Sequence, residues 1–129
     1  SNQQLDAKQA MLRWVRFELE DYSDVIPPMQ DFHRSWRTGV AFAALIHRHD
    51  PTFIPDFYTS ILQVPHETMD QWRATLTRTF DIAFEKMSIP RLLDPSDLVD
   101  MEPDERSLMT YISEYYLVMS KHQQQEDVT

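Results

Sequence analysis

Cysteine is missing from all 129 residues, which excludes a disulfide framework, a thiolate nucleophile and any cysteine-based zinc site. Glycine occurs once, as Gly39, so no glycine-rich loop is present to cradle a phosphate. No apolar run approaches the roughly 20 residues that span a bilayer, and the polar start after Ser1 and Asn2 does not read as a secretory leader. Basic side chains are in the minority, 12 Lys and Arg against 21 Asp and Glu, for a formal charge of -9. The excess sits late in the chain, where residues 91–129 carry Arg91, Arg106 and Lys121 against nine acidic groups. A surface of this sign repels nucleic acid and anionic lipid, so neither is expected as a partner.

The apolar share of 42% and charged share of 26% are those of a chain that folds. At this length a single domain buries roughly 68% of the surface its unfolded chain exposes. Residues 1–4 read as a disordered start or cloning scar, 5–122 as the domain, and 123–129 as a tail or linker.

Eight prolines and the lack of an alternating strand pattern predict an all-α domain of helices punctuated by proline. A first helix is predicted over 5–22, with Ala7, Met11 and Trp14 inward and Leu12, Val15 and Leu19 widening that face. Gln9, Arg13, Arg16 and Glu20 then form the solvent stripe, with Arg16 in reach of Glu20 one turn on. "SDVIPPMQDF" breaks this helix, because proline removes a backbone donor and biases its predecessor away from helix.

A second helix is predicted from Thr38, as N-cap, to His49, where "DP" stops it. Its run from Val40 to Ile46, including Phe42 and Leu45, has no polar face and must be enclosed by other helices. Gly39 would let a neighbouring backbone approach its start. In 52–65, Ile54, Phe57, Tyr58, Ile61 and Leu62 recur at helical spacing after Pro55, predicting a short extra helix.

A long helix over 66–87 follows, with Met69, Trp72, Leu76, Phe80, Ala83 and Met87 in one stripe opposite Asp70, Arg73, Thr77 and Asp81. Asp94, Pro95 and Asp97 make a capping pattern for one or two further turns. Pro103 is predicted to open the last helix, whose inner face is Leu108, Ile112, Tyr115 and Met119, flanked by Tyr111 and Tyr116.

Catalytic and metal chemistry find little support. His47 and His49 diverge by about 200° on a helix and cannot close on one ion. His33, His66 and His122 lie apart, with no nucleophile and base pair beside them. "DPSDLVDMEPDE" offers Leu98 and Val99 where a calcium loop needs an oxygen ligand and a glycine, and reads instead as two helix caps. No cofactor and no enzymatic activity are expected.

Four phrases in order, "AKQAMLRWV", "DFHRSWRTGVAFAALIHRHDP", "FDIAFEKMSIPRLLDPSDLV" and "PDERSLMTYISEYYLVMSK", resemble a calponin homology domain. The likeness is to the second domain of the tandem pair in α-actinin, spectrin and related actin cross-linkers. It implies a bundle of four main helices with short ones between, in which Trp36 plugs the core and Gly39 starts a central helix that the others surround. Trp14, Phe42, Leu45 and Phe80 are expected in the same core.

The resemblance further implies weak binding of filamentous actin through the first helix, so that Gln9, Arg13, Arg16 and Glu20 are the candidate contact residues. It implies packing against a preceding calponin homology domain of the same chain, and a place in the cytoplasm at the actin cytoskeleton. Phe17 and Glu18, followed by Glu20 and Asp21, stand shortly after Trp14 where family members often carry basic residues, which weakens any charge-driven contact with acidic actin and with membrane phosphoinositides. The segment 52–65 is longer than is usual in the family. A rival reading makes it a protein-docking element through Phe53, Phe57 and Tyr58, without direct actin contact.

Overall fold

The computed structural model describes the backbone of residues 2–128 and the side chains of 2–3 and 5–123. Among the described residues five α-helices run in order: α1 (Asn2–Glu18), α2 (Val40–His49), α3 (Met69–Met87), α4 (Pro95–Val99) and α5 (Glu105–Val128). Short 3₁₀ turns at 20–22, 34–36 and 51–53 and a π-helical turn at 57–62 join them, with no strand among the described residues. The fold is all-α, with α1, α2, α3 and α5 as its main helices.

Each boundary has a local cause. Gly39 stands before α2 at φ 83, a left-handed conformation that glycine adopts without penalty. It therefore takes the cap expected of Thr38, whose Oγ1 accepts from Val40 N at 3.3 Å. Helix α3 begins at Met69 rather than 66, because Thr68 and Gln71 close a reciprocal capping box. Asp94 and Asp97 form a second box at α4, with Pro95 in its first turn. At α5 the cap is Asp104, whose carboxylate accepts from Ser107 N at 2.9 Å, so Pro103 precedes the helix instead of opening it. No glycine or proline interrupts residues 2–4 or 123–128, and helical backbone covers both stretches. Of the start (1–4) and the tail or linker (123–129) set apart in the sequence, Ser1 and Thr129 lie outside the described residues.

Helix α2 occupies the centre. Ala41 to Ile46 are all buried, and α2 packs against α3 and the turns at 34–36, 51–53 and 57–62. A β-carbon on Gly39 would meet Leu76 N and Thr75 Cγ2, each at 3.0 Å. The single glycine is thus where the start of α2 touches the backbone of α3. Trp36 is fully buried, stacked on Phe32 at 6.1 Å and tilted against Phe42 at 4.9 Å, and its indole Nε1 donates to Asp31 O at 2.8 Å. Phe42 in turn meets Phe80 of α3 and Tyr111 and Tyr115 of α5 at 5.5–5.8 Å. One ring on α2 therefore links three helices and the Trp36 plug. Leu45 is buried beside it.

Helix α1 is rotated from its expected phase. Leu12, Val15 and Leu19 are buried, Met11 and Trp14 half-buried, and Ala7 exposed. The six apolar residues span an arc of about 160° on the helix, wider than the strip that its neighbours seal, and the packing of α5 helps decide which of them are buried. Trp14 ends on the seam between the two helices, edge-on to Tyr116 at 5.3 Å, rather than in the core. Met69 at the start of α3 is likewise exposed, while Leu76, Phe80, Ala83 and Met87 are buried.

Candidate functional site

With Leu12, Val15 and Leu19 drawn inward, the opposite side of α1 is left to solvent, and Gln9, Arg13 and Arg16 are exposed along it. Glu20, also exposed, continues the stripe in the 3₁₀ turn that follows. The structure therefore brings the four candidate contact residues onto one surface. Their roles within it differ. Arg16 does not turn along the helix to Glu20; its Nε donates to Met29 O at 2.7 Å and ties α1 to the loop behind it.

Phe17 and Glu18 part company. Phe17 is 62% exposed, whereas Glu18 is 4% exposed, in the seam between α1 and the end of α2. Burial raises the Glu18 carboxyl above its ordinary value, and the charge of Arg48 offsets this in part. Glu18 thus does not belong to the acidic surface expected after Trp14. The signal was in the spacing: Glu18 falls in phase with the half-buried Met11 and Trp14 at i+7 and i+4.

Behind that seam lies an aromatic cluster. His47 stacks on Phe57 at 4.7 Å and meets Tyr22 and Tyr58 edge-on at 5.7 and 5.3 Å. Burial pushes the Tyr22 hydroxyl up to about 12 and lowers His47. The Tyr22 hydroxyl and His47 Nδ1 share a hydrogen bond at 2.6 Å.

This cluster absorbs much of the 52–65 segment. Phe57 is fully buried and Phe53 half-buried, which leaves Tyr58 exposed. The three rings do not form one exposed docking surface. Pro55 precedes the 57–62 turn rather than sitting in it, and Arg78 fixes the start of the turn through Asp56 at 2.5 Å. That bond holds the Asp56 carboxyl down at about 2.

A groove of about 590 Å³ lies between the starts of α1 and α5, lined by Leu5, Lys8, Arg106 and Met109 among others. Lys8 Nζ bridges it to Glu105 Oε2 at 3.0 Å. Among the described residues no group of three or more His, Asp or Glu converges as a metal site, and no helix is long and apolar enough to cross a membrane.

A family model for the calponin homology (CH) domain matches residues 5–121. The chain is 39% identical over 117 residues to alpha-actinin-like protein 1 of Schizosaccharomyces pombe, covering 90% of this chain and 17% of that protein. It is 40% identical over 117 residues to alpha-actinin A of Dictyostelium discoideum, covering 90% of this chain and 12% of the relative. Sarcomeric alpha-actinin of Drosophila melanogaster is 38% identical over 125 residues, 96% of this chain and 12% of that protein. The chain thus spans between about an eighth and a sixth of the length of these relatives. The buried α2, the Gly39 contact with α3 and a match across almost every described residue agree: this chain belongs to the calponin homology domain family.

Proposed function

We propose that this chain is an actin-binding module and not an enzyme: the second calponin homology domain of a tandem actin-binding region in a filament cross-linking protein of the cytoplasmic actin cytoskeleton. Its own contact with F-actin is weak and runs through Gln9, Arg13, Arg16 and Glu20 on α1. Its larger role is to stabilise the preceding domain and to regulate how much of that domain's actin surface is open. The supporting observation is the outward face of α1, which is solvent-exposed along its length in a chain similar to segments of alpha-actinins.

The balance of charge on that face accounts for the weakness. Arg13 and Arg16 are met by Glu20 and Asp21, so an acidic filament gains little net attraction. A domain joined ahead of Asn2 would enter beside the groove between α1 and α5, where Leu5 is exposed, Arg106 offers charge and Lys8 is paired with Glu105.

Co-sedimentation with F-actin tests the reading. The chain alone is expected to bind with a Kd above about 10 μM, and its deletion from the tandem is expected to change the affinity of the remaining domain. Tight saturable binding by the chain alone, or a tandem indifferent to its removal, would contradict the proposal.

A further inference from the structure

Leu92 and Met101 are 46% and 57% exposed on the two segments that frame α4, the extended stretch after Pro90 and the bend before Pro103. They line one groove of about 240 Å³, whose floor is the buried Leu93, Leu98 and Leu108. Clefts that take small organic ligands usually hold about 300–1,000 Å³, so this one is sized for a single large side chain. Apolar surface left bare around a concavity and rimmed by polar groups marks a site of contact, and a methionine lets such a surface adapt to its occupant.

The rim has one sign. Asp97, Glu102 and Asp104 border the groove, and no basic side chain lines it. Glu102 is neutralised by Arg34 at 2.6 Å. Asp97 and Asp104 are not: their carboxylates accept from Asp94 N and Ser107 N, each at 2.9 Å, and neither forms an ion pair among the described residues. Capping bonds of this kind fix the two carboxylates in place without cancelling their charge. Past Leu92 and Asp97 the surface continues into a polar recess whose two cations, Arg73 and Arg91, are taken by Asp100 and Asp81, each at 2.7 Å. An approaching chain therefore meets an apolar slot between two uncompensated negative charges, one on α4 and one at the start of α5.

We propose that this groove docks a partner segment bearing one large aliphatic side chain flanked by Lys or Arg. The aliphatic chain fills the slot over Leu93, Leu98 and Leu108, and the basic neighbours reach Asp97 and Asp104. Complementary charge selects this occupant over the alternatives. Nucleic acid and anionic lipid bring charge of the wrong sign, and a second copy of this chain, at a formal charge of -9, is opposed by the same rim. None of Gln9, Arg13, Arg16 and Glu20 lines the groove, so the proposal stands apart from the filament contact of α1.

The test is titration of the isotope-labelled 129-residue chain with the synthetic peptide GSKRLRKSG, followed by backbone amide chemical shifts at about 50 and 150 mM salt. Saturable shifts concentrated in residues 91–108 are expected, with a Kd below about 1 mM. The serine-centred peptide GSKRSRKSG is expected to bind at least about fivefold more weakly, and the acidic GSEELEESG not to bind. Leu92→Ser and Met101→Ser are each expected to weaken the leucine peptide at least about threefold. Both side chains are half exposed, so thermal melts of the two variants should stay close to the wild type. Asp104→Asn keeps the helix cap while removing its charge, and is expected to weaken binding about threefold at the lower salt and less at the higher. A serine-centred peptide that binds as well as the leucine one, shifts centred away from the groove, folded Leu92→Ser and Met101→Ser variants that bind like the wild type, or no saturation by about 5 mM peptide overturns the proposal.

Discussion

Arg48 Nε lies 3.5 Å from Glu18 Oε2 across the seam between α1 and the last turn of α2, with Arg48 39% exposed and the carboxylate nearly sealed from water. Burial raises the folded pKa of Glu18 above its unfolded value, and Arg48 restores it only in part. With the folded value the higher of the two, this group's stabilising contribution is complete below the unfolded pKa and is lost as pH rises through the folded pKa. Glu18→Gln keeps the shape and removes the charge. It is expected to melt above the wild type at pH 7.5, with the gap closing near pH 4, where the wild-type side chain is itself protonated. A glutamine variant that melts lower at pH 7.5 would mean that the ion pair outweighs desolvation.

Trp36 closes the core between Phe32 and Phe42. Trp36→Ala is expected to cost roughly 3–5 kcal/mol, the range for deleting a buried aromatic side chain. Trp36→Phe preserves most of the packing but orphans Asp31 O, for a loss of about 1–3 kcal/mol. Urea denaturation read by circular dichroism measures both. An unchanged midpoint for Trp36→Ala would place the indole outside the core.

Gly39→Ala carries two penalties at one atom. The backbone sits at φ 83, where an L side chain is strained by roughly 1–2 kcal/mol. The new methyl would also lie 3.0 Å from Leu76 N and 3.2 Å from Thr75 C, backbone atoms that move only if α3 moves. A total loss of at least about 2 kcal/mol is expected. A melt within one degree of the wild type would mean that α2 and α3 separate at this point without cost.

The features legible in the sequence were those that a single residue type imposes. A run with no polar face, from Val40 to Ile46, admits only burial. A lone glycine beside it marks a close approach, and Asp94-Pro95 with Asp97 admits little but a capped turn. Thr68 and Gln71 spell the same box and were equally readable. The phase of α1 was not, because its apolar residues span too wide an arc and α5, about 90 residues on, selects among them. The π-helical turn at 57–62 depends on Phe57 reaching His47 and on Arg78 holding Asp56, contacts that no local pattern encodes. Helical period placed Gln9, Arg13, Arg16 and Glu20 on one exposed surface, yet period alone could not separate Arg16, bonded to the Met29 carbonyl, from Arg13.

That difference has a measurable consequence. Arg16→Ala removes a charge-assisted bond to a backbone carbonyl whose residue, Met29, is buried. With the guanidinium itself exposed, the expected cost is about 1–2 kcal/mol. Arg16→Lys should recover little of it, because a lysine ammonium cannot reproduce the angle at which Nε meets the carbonyl. Arg13→Ala is expected to fall within about 0.5 kcal/mol of the wild type. Equal stabilities for the two alanine variants would mean that the Met29 bond contributes nothing. If they differ as expected, weaker filament sedimentation by Arg16→Ala mixes a displaced helix with a lost contact, and Arg13 becomes the cleaner probe of the surface that α1 presents.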